Sequence, residues 1–138
     1  MMVEVYCDGS GTTMDLPGGY GYVIVVDGVK MTEGSGHLPK ATNNRAELSA
    51  AIEGLKVVQA HPKWSKADVV IVSDSQLVLG YANGSYKLKA MHLVDVYNAI
   101  RLLYKSMKVS TRWVRGHTGD KYNEECDKLA KAARNNSP

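Results

Sequence analysis

The stretch Val3-Glu4-Val5-Tyr6-Cys7-Asp8-Gly9-Ser10 constrains this chain more than any other. Val3, Val5 and Cys7 alternate with Glu4, Tyr6 and Asp8, the period-two pattern of an extended strand with side chains facing opposite ways in turn. The strand ends at Asp-Gly-Ser, where glycine lets the backbone turn and one carboxylate is left at the strand's mouth. Taken alone, an Asp-Gly is a turn. Asp8 gains weight because other acids further along occupy similar ends of elements.

After a polar, glycine-rich loop over 11–19, Tyr20-Gly21-Tyr22-Val23-Ile24-Val25-Val26 reads as a second strand. Asp27-Gly28 is a two-residue hairpin signal, so a third strand is expected to return antiparallel from Val29 to about His37. The loop lacks the spacing of a phosphate-binding P-loop. Thr42-Asn43-Asn44 opens a helix whose apolar stripe, Ala46, Ala50, Leu55 and Val58, runs to about Ala60. Proline in His61-Pro62 cannot continue the hydrogen-bond ladder and ends it. Within the first turn, Asn44-x-x-Glu47 fits a capping box, a purely structural use of Glu47.

Val69-Val70-Ile71-Val72 is continuously apolar, as in a strand buried on both faces of a sheet. Ser73-Asp74-Ser75-Gln76 follows, in which Asp74 or Ser75 suits the cap of a short helix starting near Leu77 and broken between Gly80 and Gly84. A longer helix is expected over about 91–107, with Leu93, Val96, Ile100 and Leu103 as its core stripe. A last strand is expected over 109–114, then the polar turn Arg115-Gly116-His117-Thr118-Gly119-Asp120. In the final helix Cys126, Leu129, Ala130 and Ala133 form the buried stripe and Asp127 lies at its edge. Trp64 and Trp113 read as packing residues, and residues 135–138 as a frayed tail.

The opening hairpins are antiparallel, whereas the later strands are reached by helical crossovers and run parallel to the first. The expected fold is therefore α/β: a mixed five-stranded sheet in the order 3-2-1-4-5, with helices on its faces. With 138 residues, 44% of them hydrophobic, the chain has the size and composition of one globular domain over 1–138. The longest apolar runs are too short to cross a bilayer, and no signal peptide is expected. Two cysteines without paired spacing suggest reduced thiols in a cytoplasmic protein. A net charge of +3 permits a polyanionic partner without demanding one.

Four acids then occupy comparable places: Asp8 after strand one, Glu47 in a first helical turn, Asp74 after strand four and Asp127 in the last helix. If strands one and four are parallel neighbours, Asp8 and Asp74 emerge at the same carboxyl edge, where open α/β sheets bind ligands. Gathering carboxylates costs several kcal/mol of repulsion unless a cation sits among them. Oxygen-only ligands select a hard ion such as Mg²⁺ or Mn²⁺. Two such ions would activate water and stabilise the leaving oxygen of a phosphodiester. On position alone, surface acids solvating the ends of elements remain the competing explanation.

The words around these acids carry a resemblance. Asp8-Gly9-Ser10, Gly18-Gly19-Tyr20-Gly21, Thr42-Asn43-Asn44-Arg45-Ala46-Glu47-Leu48, Asp74-Ser75-Gln76, Trp113-Val114-Arg115-Gly116-His117 and Asn123-Glu124-Glu125-Cys126-Asp127-Lys128-Leu129-Ala130 together closely resemble type 1 ribonuclease H, in order, from about Val3 to Ala133. The resemblance implies a ribonuclease H-like fold and hydrolysis of the RNA strand of an RNA/DNA hybrid by two divalent ions. The ions would be Mg²⁺, with Mn²⁺ a substitute, and the products would carry 5′-phosphate and 3′-hydroxyl ends. It also implies that Asp8, Glu47, Asp74 and Asp127 are catalytic metal ligands. His117 matches a histidine that assists proton transfer or product release, a role suited to a group that changes charge near neutral pH. Asn43, Asn44 and Gln76 match minor-groove contacts, since amides both donate to and accept from a 2′-hydroxyl. Thr42 matches a contact to a DNA phosphate.

Two departures from the family pattern are visible. Where many members carry a basic, tryptophan-rich protrusion, residues 80–89 offer Lys87, Lys89 and two tyrosines; weaker and more salt-sensitive hybrid binding is expected. A separate hybrid-binding domain is also not expected. In the loop after Ser10, Gly11 and Met14-Asp15 replace the family's usual residues. The alternatives are another nuclease of the same fold and a non-catalytic hybrid-binding module, which would be expected to have lost at least one acid. No membrane association or obligate protein partner is expected, and the chain reads as a monomer.

Overall fold

The computed structural model describes residues 1–116 and 119–136. Its strands are β1 (Met2–Ser10), β2 (Gly18–Val26), β3 (Val29–Leu38), β4 (Asp68–Ser73) and β5 (Lys108–Trp113). Its α-helices are α1 (Asn43–Ala60), α2 (Gln76–Asn83), α3 (Val94–Ser106) and α4 (Lys121–Asn135). The five strands form one sheet in the order β3-β2-β1-β4-β5, so β1 is the centre, as the sequence predicts. β1 pairs antiparallel with β2 and parallel with β4, and β4 pairs parallel with β5. Asp27 and Gly28 both take positive φ, the twist that lets a two-residue turn join β2 to β3.

Period two splits the core between the faces. Val3, Val5, Cys7, Val69 and Ile71 pack with α1, α2 and α3, where Leu48, Leu55, Val78 and Ile100 close the larger cluster. Tyr6, Val23, Val25, Val70 and Val72 pack on the other face with Cys126 of α4. β4 is thus buried on both sides, which explains its unbroken apolar run. α4 lies close over β2 because Gly19 has no side chain; a Cβ there would come within 2.3 Å of the Ala130 carbonyl oxygen. Among the described residues no helix is long and apolar enough to cross a membrane.

Four local expectations shift. The cap of α1 is Thr42, whose hydroxyl accepts from the Arg45 N–H at 3.2 Å, so Asn44 and Glu47 do not form a capping box. α2 runs through Gly80 and ends at Gly84, which is left-handed at φ 82°. Residues 91–93 make a separate 3₁₀ turn before α3 rather than its first turn. Trp113 is 47% exposed on the edge strand β5, not packed in the interior. Of the tail expected to fray over 135–138, Asn135 closes α4 and the Asn136 N–H donates to the Ala132 carbonyl at 3.0 Å, while Ser137 and Pro138 lie outside the described residues.

Candidate active site

The parallel pairing of β1 and β4 brings their carboxyl ends to one edge, with Tyr6 opposite Val72 in the register. Asp8 sits near the end of β1, 7% exposed, and one of its oxygens accepts from the Gly9 N–H at 2.9 Å. Asp74 follows β4 directly and is partly exposed. The helix-capping role falls to its neighbour, because Ser75 Oγ accepts from the Val78 N–H at 3.2 Å. Glu47 arrives from α1 and is 8% exposed. Its approach depends on Gly9: a Cβ there would lie 2.2 Å from the Glu47 backbone nitrogen, so only glycine admits the helix so close to β1. Asn43 then orients the side chain, donating from Nδ2 to Glu47 Oε1 at 2.9 Å while its Oδ1 accepts from Gly11 N–H at 3.2 Å.

Asp8, Glu47 and Asp74 each present a carboxylate oxygen, and the three oxygens lie within 4.8 Å of one another. Burial and then the neighbouring Asp74 push the Asp8 carboxyl up to about 7, against the Gly9 N–H, which favours the ionised form. Burial, then Asp8 and Asp74, push Glu47 up to about 8. Among the described residues no ion pair involves Asp8 or Glu47. Closely packed acids of this kind are destabilised as anions unless a cation joins them. The donor set is oxygen only, and it fits a hard divalent ion.

Asp127 stands apart from this trio. It is partly buried on α4 and pairs with Lys131 at 3.1 Å, although its charge still raises Asp8. Thr42 spends its oxygen on capping α1. Asn44 is exposed and lines a groove of about 540 Å³ together with Leu77, Tyr81, Tyr86, Lys87 and Lys89. Gln76 is exposed at the first position of α2. His117 lies outside the described residues.

Two features escaped the sequence reading. The tie from Asn43 to Glu47 has a local signal, because residues four apart in a helix share a face. The second has none: Trp113 Nε1–H donates to the backbone carbonyl of Asp74 at 3.1 Å, across 39 positions of sequence.

The family model for RNase H matches residues 1–135. A ribonuclease H of Pseudomonas entomophila (strain L48) is 36% identical over 93% of this chain and 90% of its own length. The crystal structure of RNase H1 from the halophilic archaeon Halobacterium salinarum NRC-1 superposes with a TM-score of 0.82 at 30% identity, covering 96% of this chain and 97% of its own. LC11-RNase H1, crystallised in complex with an RNA/DNA hybrid, gives a TM-score of 0.82 at 25% identity, covering 96% of each chain. Matched from end to end in sequence and in fold, the chain belongs to the ribonuclease H family and is a type 1 ribonuclease H.

Proposed function

We propose that this enzyme hydrolyses the RNA strand of an RNA/DNA hybrid at the edge where β1, β4 and α1 meet. Asp8, Glu47 and Asp74 would hold divalent metal, with Asp127 completing the set for a second ion. The single observation that carries this reading is the convergence of three carboxylates within 4.8 Å, two of them buried and without an ion-pair partner among the described residues. A solved relative bound to an RNA/DNA hybrid supports the same substrate class. Mg²⁺ is the ion we assign, with Mn²⁺ a substitute, because hard carboxylate oxygens suit both. When bound, such ions supply an activated water and neutralise charge developing on the phosphodiester oxygens.

The protein's own groups provide position. Asn43 fixes the Glu47 carboxylate and ties it to the loop at Gly11. Exposed amides at Asn44 and Gln76 suit reading of the RNA 2′-hydroxyl, and Asn43 joins them once substrate competes for its amide. Thr42, at the positive end of α1, suits a phosphate of the DNA strand. His117 is assigned to proton handling or product release. Residues 1–138 are taken as one domain acting as a monomer in the cytoplasm, where the free thiols Cys7 and Cys126 persist.

The test is cleavage of strand-labelled RNA/DNA hybrid, duplex DNA and duplex RNA with Mg²⁺, Mn²⁺ or EDTA. The expected result is metal-dependent cutting confined to the RNA strand of the hybrid. Equal cutting of duplex DNA, or full activity in EDTA, overturns the proposal.

A further inference from the structure

We infer that Trp113, an aromatic residue at the end of the outermost strand, is a positioning residue that sets the Asp74 carboxylate for metal binding. The inference rests on the metal-site reading above. Trp113 leaves nearly half of its surface in water, yet its indole N–H donates to the Asp74 carbonyl rather than to solvent alone. An exposed indole on an edge strand has no need of that bond, because water would satisfy its N–H equally well.

What the bond does is complete a clamp on the short turn that carries Asp74. Ser73 is paired with Trp113 as the last register position of β4 and β5, and the Val114 N–H donates to the Ser73 carbonyl at 3.0 Å. Ser73 Oγ accepts from the Ser75 N–H at 3.0 Å, and Ser75 caps α2. These contacts fix residues 73 and 75. The carbonyl of Asp74 itself is fixed by Trp113. On the other side Gly116 lies against the carboxylate, where a Cβ would come within 2.8 Å of Asp74 Oδ2. The end of β5 and the residues just after it therefore border Asp74 at its backbone and at its carboxylate, although they contribute none of the three clustered acids. Groups that orient a metal ligand from behind typically change affinity about 10- to 100-fold when removed.

The experiment measures binding of Mn²⁺ alone, by titration calorimetry on the full chain, for wild type, Trp113→Phe, Gly116→Ala and Asp74→Asn. Trp113→Phe keeps an aromatic ring but removes the N–H. Gly116→Ala keeps the N–H and pushes on the carboxylate. Both are expected to weaken Mn²⁺ binding about tenfold, with thermal midpoints of the metal-free proteins within about 3 °C of wild type. A purely structural role would instead move the midpoint and leave affinity unchanged, which overturns the inference. So does a Trp113→Phe variant with wild-type Mn²⁺ affinity and a raised KM for hybrid, since that makes the ring a substrate contact. Asp74→Asn separates the two levels. If it binds Mn²⁺ as wild type does, the metal site itself is refuted. If it loses Mn²⁺ while Trp113→Phe and Gly116→Ala do not, only the positioning role fails.

Discussion

Asp127 and the buried acids Asp8 and Glu47 are chemically alike, but the protein treats them in opposite ways. Asp127 has its own cation one helical turn away, with Lys131 at 3.1 Å. Asp8 and Glu47 are buried beside other acids with no such partner among the described residues, and both are pushed toward protonation near neutral pH. A fold selected only for stability would pair or disperse these charges, since unpaired buried charge is among the most costly features a core can hold. The contrast separates an acid that the chain pairs with a cation from two acids that it buries beside one another.

The largest effect is expected from breaking the trio. Glu47→Gln keeps the shape and the Asn43 contact but removes one charge, and Asp74→Asn removes one charge at the partly exposed position. Either should lower hybrid cleavage by about a thousandfold, because a metal's electrostatic contribution is worth several kcal/mol and each 1.36 kcal/mol is tenfold in rate. Single-turnover cleavage measures this, and a loss below about tenfold would remove these residues from the metal scheme. The metal-free Glu47→Gln protein should at the same time be more stable than wild type at pH 8, the usual exchange between stability and function.

The second expectation concerns pH. Folding raises Asp8 from 3.8 to about 7 and Glu47 from 4.5 to about 8. The folded state therefore binds protons more tightly than the unfolded chain between these limits. The stability linked to these groups is fully present below pH about 4 and is lost as pH climbs toward 8, by an amount on the order of a few kcal/mol. Thermal unfolding in EDTA should show the midpoint falling across that window relative to Glu47→Gln, and millimolar Mg²⁺ should restore it at pH 8. A wild-type midpoint that follows the variant's at every pH would mean the acids do not repel as described.

How much of this was legible in the sequence follows from which contacts are local. The sheet order could be read because turn chemistry at Asp27-Gly28 and the unbroken run of β4 are properties of short segments. The meeting of Asp8 and Asp74 followed from that order, since parallel neighbours share an edge. The start of α3 could not be read. Arg45 reaches from α1 to the His92 carbonyl at 2.5 Å and to both Asp95 oxygens, near 3 Å, which holds residues 91–93 in a separate turn. Gly80 reads as a helix breaker but is covered by the Tyr86 ring, which leaves no room for a side chain. Trp113 reads as core by its size, and its exposure follows from β5 being an edge strand, a fact of topology rather than of composition.

A smaller effect is expected at Asp127. Asp127→Asn removes a charge that acts on Asp8 but lies outside the close trio, so cleavage should fall on the order of tenfold, as for groups that tune a metal site from its margin. Lys131→Ala should raise the Asp8 carboxyl further, because the ammonium currently holds it down. The pH at which activity reaches half its maximum should therefore move up, which a cleavage profile from pH 5 to 9 reads directly. An unchanged profile would place Asp127 and Lys131 in an ordinary surface pair.

The smallest effect sharpens the comparison within two adjacent residues. Ser75 caps α2 through Oγ, and Asp74 beside it does not. Ser75→Ala should cost about 1 kcal/mol, as lost N-caps do, a fall of about 3 °C in the thermal midpoint for a chain of this length. Mn²⁺ affinity should stay near wild type, because Ser73 Oγ and Trp113 still hold the turn. Asp74→Asn should do the reverse, losing the ion while the metal-free fold keeps or gains stability. If Ser75→Ala instead lost metal binding as fully as Asp74→Asn, the helix cap rather than the end of β4 would be the element that places the carboxylate.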